Sequence, residues 1–513
     1  MTRGTVARNT GIITIGLGAD KLVGVLKTVL VAALFGLSRD LDAMLAALAL
    51  PMAAIIIGSE SLSTAALNVI VRHRTRGRER EGWRALSALT NTIALVAVAG
   101  TALYAIAAPQ VVRAVAPGLD PATAARAVLL TRVLAPLVPL QFALGIAQGA
   151  LHAHGRFWLP AARLAVSNAV AVIVLAWLHP RLGITAYALG FLAGDGVAVI
   201  AHLPALARVG WRWQPVLDLG CPEVRRALAF SAPMLGGAII LQAMMILEKT
   251  FASTLAAGSI SCLDYGVRLL LLFYVFERAL TNALFPHLAQ RFAESSLERF
   301  RHLVAAGVRA HVLVALPVTV GALLLREPLI RLLLQRGAFD ARATALSSWV
   351  AALYLFGLLG MSLRHFLAQV YHATGDSRTP MIAAAASLAI YIGAARLLLP
   401  ALGAGALALA LSLAMSANAA LMMAALARAT HGVSWRPLAL FTAKAVVASL
   451  VVGALLWAGR DRAGALEGRW ALLLLPGAAA AGAAVYTCVL ACLRTEEALE
   501  IGRIGRQLLR RAH

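Results

Sequence analysis

Long apolar runs dominate this chain. Between prolines, glycines and charge clusters, fourteen of them fall at about 11–36, 42–70, 85–108, 124–150, 158–178, 184–207, 230–256, 263–286, 307–325, 344–371, 380–399, 404–427, 438–458 and 470–493. A helix needs about 20 apolar residues to cross the hydrocarbon core of a bilayer. The expected fold is therefore an all-α polytopic membrane protein with about 14 transmembrane helices. Composition points the same way, since 61% of residues are hydrophobic and 13% charged, whereas a soluble domain carries about 25% charge. A cytosolic enzyme, a disordered chain and an ordinary nucleic-acid-binding domain are excluded, despite a formal net charge of +23.

That charge is explained by where it lies. With the N-terminus placed inside, arginines on the alternate segments that would be cytoplasmic outnumber those on the opposite segments two to one; the densest group is Arg72, Arg74, Arg76, Arg78, Arg80 and Arg84. The positive-inside rule then predicts a multi-pass protein with both termini in the cytoplasm. The first run, interrupted by Asp20, Lys21 and Lys27, reads as a retained span rather than a cleaved signal peptide. Cys221, Cys262, Cys488 and Cys492 show no metal-ligand spacing and read as packing residues.

Two matches at nearly one offset disclose an internal duplication. Lys27-Thr28, Gly36 and Leu41-Asp42 recur 222 positions on as Lys249-Thr250, Gly258 and Leu263-Asp264. His152-Ala153, Gly155 and Pro160 recur 220 positions on as His372-Ala373, Gly375 and Pro380. The expected organisation is a six-helix lobe over 1–215, a second over 216–430, and two further helices with a basic cytoplasmic tail over 431–513. An even number of spans per unit makes the repeats parallel, an arrangement that places a substrate cavity between two lobes.

Charges inside spans are costly, so they mark function unless they snorkel to the interface. Only four lysines occur in the chain: Lys21, Lys27, Lys249 and Lys444. Lys21 lies about ten residues, or roughly 15 Å, into its helix at 1.5 Å per residue. Lys27 is six positions on, and Lys249 is its repeat partner. Two readings are open: lysines paired with acidic neighbours or snorkelling, or lysines lining a cavity that attracts an anion. Asp42 and Asp264 sit at helix starts, where capping competes with function. Arg268, one turn after Asp264, suits an i,i+4 pair. Glu60, Asp195, Glu248, Glu277 and Arg278 are further in-span charges, and Asn68, Asn91, Asn168, Asn282 and Asn418 read first as interhelical hydrogen-bonding residues.

No glycine-rich phosphate loop, His-Glu-x-x-His or Gly-x-Ser-x-Gly motif is present, so neither an ATPase module nor a loop-based enzyme is expected. The helix 1 string from Lys21 through Gly24 to Lys27 and Phe35-Gly36, with Leu50-Pro51, Arg132 to Pro136, Phe157 to Ala161, Phe251 to Ser259, Arg268, Phe285-Pro286, Arg336 to Asp340 and Tyr371 to Pro380, resembles the MurJ/MviN lipid II flippases, over roughly residues 10–430. Their superfamily also includes the multidrug (MATE) and oligosaccharide-lipid exporters.

The resemblance implies a flippase that moves an undecaprenyl-pyrophosphate-linked saccharide, lipid II or a related glycan, across the bacterial inner membrane for cell-wall or exopolysaccharide synthesis. Its cargo would be anionic, its surroundings membrane lipid, and its substrate-binding residues Lys21, Lys27, Arg268, Asp42 and Glu60, to which the internal repeat adds Lys249. Lys21 and Lys27 stand where the family has arginines, and Ile55 and Ile56 where it has a basic pair. The expected protein is not an enzyme and uses no cofactor, with membrane potential or a cation gradient as the driving force. It would act as a monomer, in contact with glycan-synthesis machinery and without nucleic acid. Competing readings are a MATE-like small-molecule exporter and a transport-inactive scaffold of a polysaccharide assembly complex.

Overall fold

The computed structural model describes residues 3–217, 239–293, 297–430, 435–458, 469–493 and 495. They form helices joined by short turns: α1 (Arg3–Phe35), α2 (Arg39–Thr75), α3 (Glu79–Ile106), α4 (Ala108–Val115), α5 (Pro121–Leu134), α6 (Leu137–Ala153), α7 (Trp158–Leu182), α8 (Thr185–Arg208), α9 (residues 239–253), α10 (Ser259–Ala293), α11 (Leu297–Leu334), α12 (Ala341–Leu355), α13 (Leu358–Ala373), α14 (Arg378–Leu402), α15 (Ala404–Thr430), α16 (Trp435–Ala458) and α17 (Arg469–Cys492).

Among the described residues, ten helices are long and apolar enough to cross a membrane, or eleven with α12 and α13 taken as one span bent by 44°. Each of these matches an expected run. Of the other three, 11–36 lies within α1 and 470–493 within α17, both helical, and 230–256 is described only from residue 239. The basic tail expected after residue 493 lies almost wholly outside the described residues.

The chain divides into two compact units. One comprises Met1–Ser261 with the strap Arg336–Asp340; the other comprises Cys262–Gln335 and Ala341–His513. The first unit packs by close approach of small residues, as expected where lipid removes any hydrophobic drive between helices. On α6, a Cβ on Gly145 would lie 2.5 Å from the Ser59 carbonyl oxygen, and one on Gly149 2.0 Å from that of Ser63. Gly194 of α8 meets the Ser167 carbonyl of α7 in the same way. Around these seams Leu62, Ile70, Trp83, Leu86, Ile146 and Leu206 form an apolar core. The second unit repeats the device, with Gly357 and Gly360 of α13 set against Ser412 and Ser416 of α15. Phe300, Val304, Phe366 and Val370 lie in its core.

Corresponding helices recur along the chain. Pro121 and Ala341 open α5 and α12, Trp158 and Arg378 open α7 and α14, and Leu182 and Leu402 close the latter pair, in each case 220 positions apart. The His-Ala-x-Gly repeat is a helix-ending device. Gly155 (φ 69°) and Gly375 (φ 77°) take the left-handed conformation. Their N–H groups donate to the carbonyls of His152 and His372, and the next N–H groups, of Arg156 and Asp376, to those of Leu151 and Tyr371. These are Schellman caps, and the left-handed residue is the one that needs glycine. Asp376 then starts α14 by accepting hydrogen bonds from the Arg378 and Thr379 N–H groups and the Thr379 hydroxyl.

Candidate functional site

Within the first unit, α1 carries a charged string that the fold partly covers. Lys21 is exposed, with 65% of its side chain accessible and its Nζ 3.9 Å from Asp20. Lys27 is half-buried, and its Nζ donates to Asn168 Oδ1 of α7 at 2.6 Å. Asn168 Nδ2 donates in turn to Asp20 Oδ1 at 3.0 Å. Asp20 and Lys27 share a face of α1 but stand two turns apart, too far to touch. Asn168 bridges them, because an amide presents an acceptor to the cation and a donor to the carboxylate at once. The Lys27 ammonium also lies 4.5 Å from the centroid of the Phe191 ring on α8, a cation–π contact that strengthens where water is excluded.

Behind this string lies a second polar layer that sequence reasoning assembled only in part. Asp195 of α8 is buried and accepts from Ser167 Oγ at 2.6 Å and from Gln141 Nε2 at 2.7 Å. Arg163 of α7 donates to Gln141 Oε1 at 2.8 Å. Gln141 thereby links a guanidinium to a carboxylate, and α6, α7 and α8 are stitched together through groups that would be costly unpaired. Asp195 was legible as an in-span charge. Arg163 and Gln141 were not singled out, although an arginine five residues into an apolar run is a signal for the first of them.

The end of α1 is held by the strap. Ala338 N–H donates to the Ala33 carbonyl at 2.8 Å. A Cβ on Gly337 would lie 2.3 Å from that carbonyl oxygen, and one on Gly36 2.2 Å from the Ala338 oxygen. The two glycines, both at positive φ, allow backbone to lie on backbone. Phe339 is fully buried. The Arg336-to-Asp340 string thus anchors the helix that bears both lysines.

The remaining expected residues take other places. Asp42 is buried, with both carboxylate oxygens engaged: the Gly258 N–H donates at 2.6 Å and the Ser261 N–H at 2.7 Å. It caps the N-terminus of α10, a helix 216 or more positions away, rather than its own. Lys249 of α9 is half-buried and within electrostatic reach of Asp42. Glu60 is exposed on α2. Arg268 belongs to the second unit, where its Nε donates to Asp264 Oδ2 at 2.7 Å, the i,i+4 pair expected from the spacing. Ile56 is exposed and Ile55 partly so. A cavity of about 100 Å³ in the first unit is lined by Leu86, Ala147, His202, Leu203 and Trp211 and contains none of these residues.

A family model described as lipid II flippase MurJ matches residues 31–467. The chain belongs to the lipid II flippase MurJ family. It is 27% identical over 372 residues to the lipid II flippase MurJ of Burkholderia cenocepacia, covering 71% of this chain and 72% of that protein. It is 27% identical over 461 residues to a probable lipid II flippase MurJ of Rhizobium meliloti, covering 86% and 84%. Among solved structures, a lipid II flippase MurJ in an inward closed conformation superposes with a TM-score of 0.78 at 20% identity, over 94% of this chain and 98% of that one. An inward-facing MATE multidrug transporter gives 0.69 at 13% identity, over 80% and 94%. At these identities the superpositions establish a shared fold. The family match contains Asp42, Glu60, Lys249 and Arg268 and begins just after Lys21 and Lys27.

Proposed function

We propose that the chain flips an anionic polyprenyl-pyrophosphate-linked saccharide, lipid II or a closely related glycan carrier, across the bacterial inner membrane by alternating access. The observation that carries this reading is the treatment of Lys27 within a family of lipid II flippases. Its ammonium is oriented by Asn168 and Phe191 and partly open, beside the exposed Lys21. A pyrophosphate crossing a low-dielectric slab needs temporary countercharge, and a lysine keeps that charge while giving up the bidentate fork of arginine. Arg268, partly accessible beside Asp264, is a further cationic group that could serve as countercharge.

The alternatives fit less well. The MATE-like fold is compatible with a cation exporter, but α1 presents ammonium groups, which favour an anionic cargo. The charge bias of the loops supports cytoplasmic termini. The test is flipping of a fluorescent lipid-linked oligosaccharide in reconstituted vesicles. Lys27→Ala and Arg268→Ala are each expected to abolish it, and wild-type rates in both would overturn the reading. Rescue of a strain depleted of its lipid II flippase would identify lipid II as cargo; a well-expressed protein that fails to rescue points to another glycan.

A further inference from the structure

The second unit holds a carboxyl group that the proposed cargo chemistry leaves unused. Glu277, on the membrane-spanning part of α10, is only 2% exposed. Ser362 Oγ of α13 donates to its Oε2 at 2.5 Å, while its Oε1 is buried with no hydrogen-bond partner among the described residues. No basic side chain pairs with it among those residues. A buried carboxylate with one hydrogen bond and no cation is among the most costly groups a membrane span can contain. Uptake of a proton removes the charge, which is the larger part of that cost.

The surroundings are built rather than incidental. On α10, Tyr274 and Thr281 lie one turn to either side of Glu277, and Arg278, next in sequence, is exposed. From α11, the buried His311 ring meets Thr281 Oγ1 at 2.9 Å and the Gly307 carbonyl at 2.7 Å. The carbonyl only accepts, so Nδ1 carries a hydrogen, while the Thr281 hydroxyl at Nε2 can donate or accept. From α13 come Ser362, Arg364 and His365. The His365 ring lies edge-on to Tyr274 at 6.2 Å between centroids, and its Nε2 is buried without a hydrogen-bond partner among the described residues. The pairs Glu277–Ser362 and Tyr274–His365 thus form two rungs, one turn apart, between the same two helices. α13 has no acidic residue, and the two on α11, Glu298 and Glu327, lie 13 and 16 positions from His311, or roughly 20 Å along the helix.

We propose that Glu277 is a proton-binding site, loaded in the conformation described here and emptied when the second unit rearranges, so that a proton gradient drives the transport cycle. The coupling rests on the flippase reading above; the protonation of Glu277 does not. Two measurements separate them. In infrared spectra of the wild-type protein in vesicles, a protonated-carboxyl carbonyl band should be present at neutral pH, absent from Glu277→Gln and shifted in Ser362→Ala. A band of unchanged area in Glu277→Gln overturns the proposal whether or not the protein flips lipid. With the membrane potential clamped at zero, a pH gradient of one unit should bias the steady-state distribution of the fluorescent lipid-linked oligosaccharide by up to about tenfold for one proton per cycle. Glu277→Gln should abolish that bias while Glu277→Asp retains part of it. Flipping by the wild type without bias, or an undiminished bias in Glu277→Gln, refutes the coupling. A wild type that does not flip the lipid at all refutes the functional reading and leaves the infrared result to decide the proton site.

Discussion

Asn168→Ala is the substitution that most directly separates an oriented cation from a merely charged one. It deletes the acceptor of the 2.6 Å bond from Lys27 and the donor of the 3.0 Å bond to Asp20, while leaving both charges in place. Hydrogen bonds to charged groups are worth about 1.5–3 kcal/mol each, but interhelical bonds measured in membrane proteins average about 0.6 kcal/mol and reach about 1.7, since the unfolded chain also finds partners in the bilayer. The partners are a lysine and an aspartate and Asp20 is buried, which places the coupling near the upper end, about 1–2 kcal/mol. That corresponds to a factor of about 5–30. The assay is the initial rate of flipping in vesicles for wild type, Asn168→Ala, Lys27→Gln and the double variant, with thermal midpoints recorded in parallel. If Asn168 acts by holding Lys27, Asn168→Ala slows the wild type by about 5- to 30-fold and costs almost nothing further in the Lys27→Gln background, where only residual activity remains. Equal fold-losses in both backgrounds would show that Asn168 acts independently of Lys27, and the bridge would lose its functional meaning.

Three further predictions concern the scaffold. Asp42→Asn puts an amide NH₂ where an oxygen now faces an N–H group, so one of the two caps on α10 is lost at about 1–3 kcal/mol; thermal unfolding should show the loss, and an unchanged midpoint would refute the capping role. Gly337→Ala forces a Cβ to 2.3 Å from the Ala33 oxygen at a φ of 57° and should destabilise the first unit by about 1–3 kcal/mol, whereas Gly393→Ala, which meets nothing within 4 Å, should be tolerated. Asp376 lies between spans, and the Thr379 hydroxyl, with the Thr379 and Arg378 amides, holds its carboxyl below the usual value of 3.8. A lowered folded pKa contributes stability that is present above the unfolded value and is lost as pH falls through the folded one. The midpoint difference between wild type and Asp376→Asn should therefore be largest near neutral pH and close up below about pH 4; a difference independent of pH would contradict this account.

Several features were legible along the chain because they depend on local pattern. The spans follow from the length of apolar runs, and the Arg268–Asp264 pair from i,i+4 geometry. Asp42 shows where such reasoning stops. Its position near the start of α2 suggested a cap or a ligand, and it is a cap, but for a helix whose first residue lies 217 positions later. Asn168 was visible as an interhelical hydrogen-bonding residue, yet nothing in its neighbourhood named Asp20 and Lys27 as the two groups it joins. Gln141 gave no signal at all, since one glutamine in an apolar helix acquires meaning only when Arg163 and Asp195 converge on it.

The sequence alone thus determined the solvent this protein folds in and the approximate spans. Each is a property of composition or periodicity, and the lipid bilayer reads both without reference to tertiary contacts. Tertiary structure decided what each costly charge does. It bridged Lys27 to Asp20, committed Asp42 to capping α10, tied Asp195 into a satisfied network and left Glu277 with one oxygen unpaired among the described residues. In an apolar medium the fate of a charge depends on which partner lies within about 3 Å, and chain positions from 28 to 219 residues apart supply that partner.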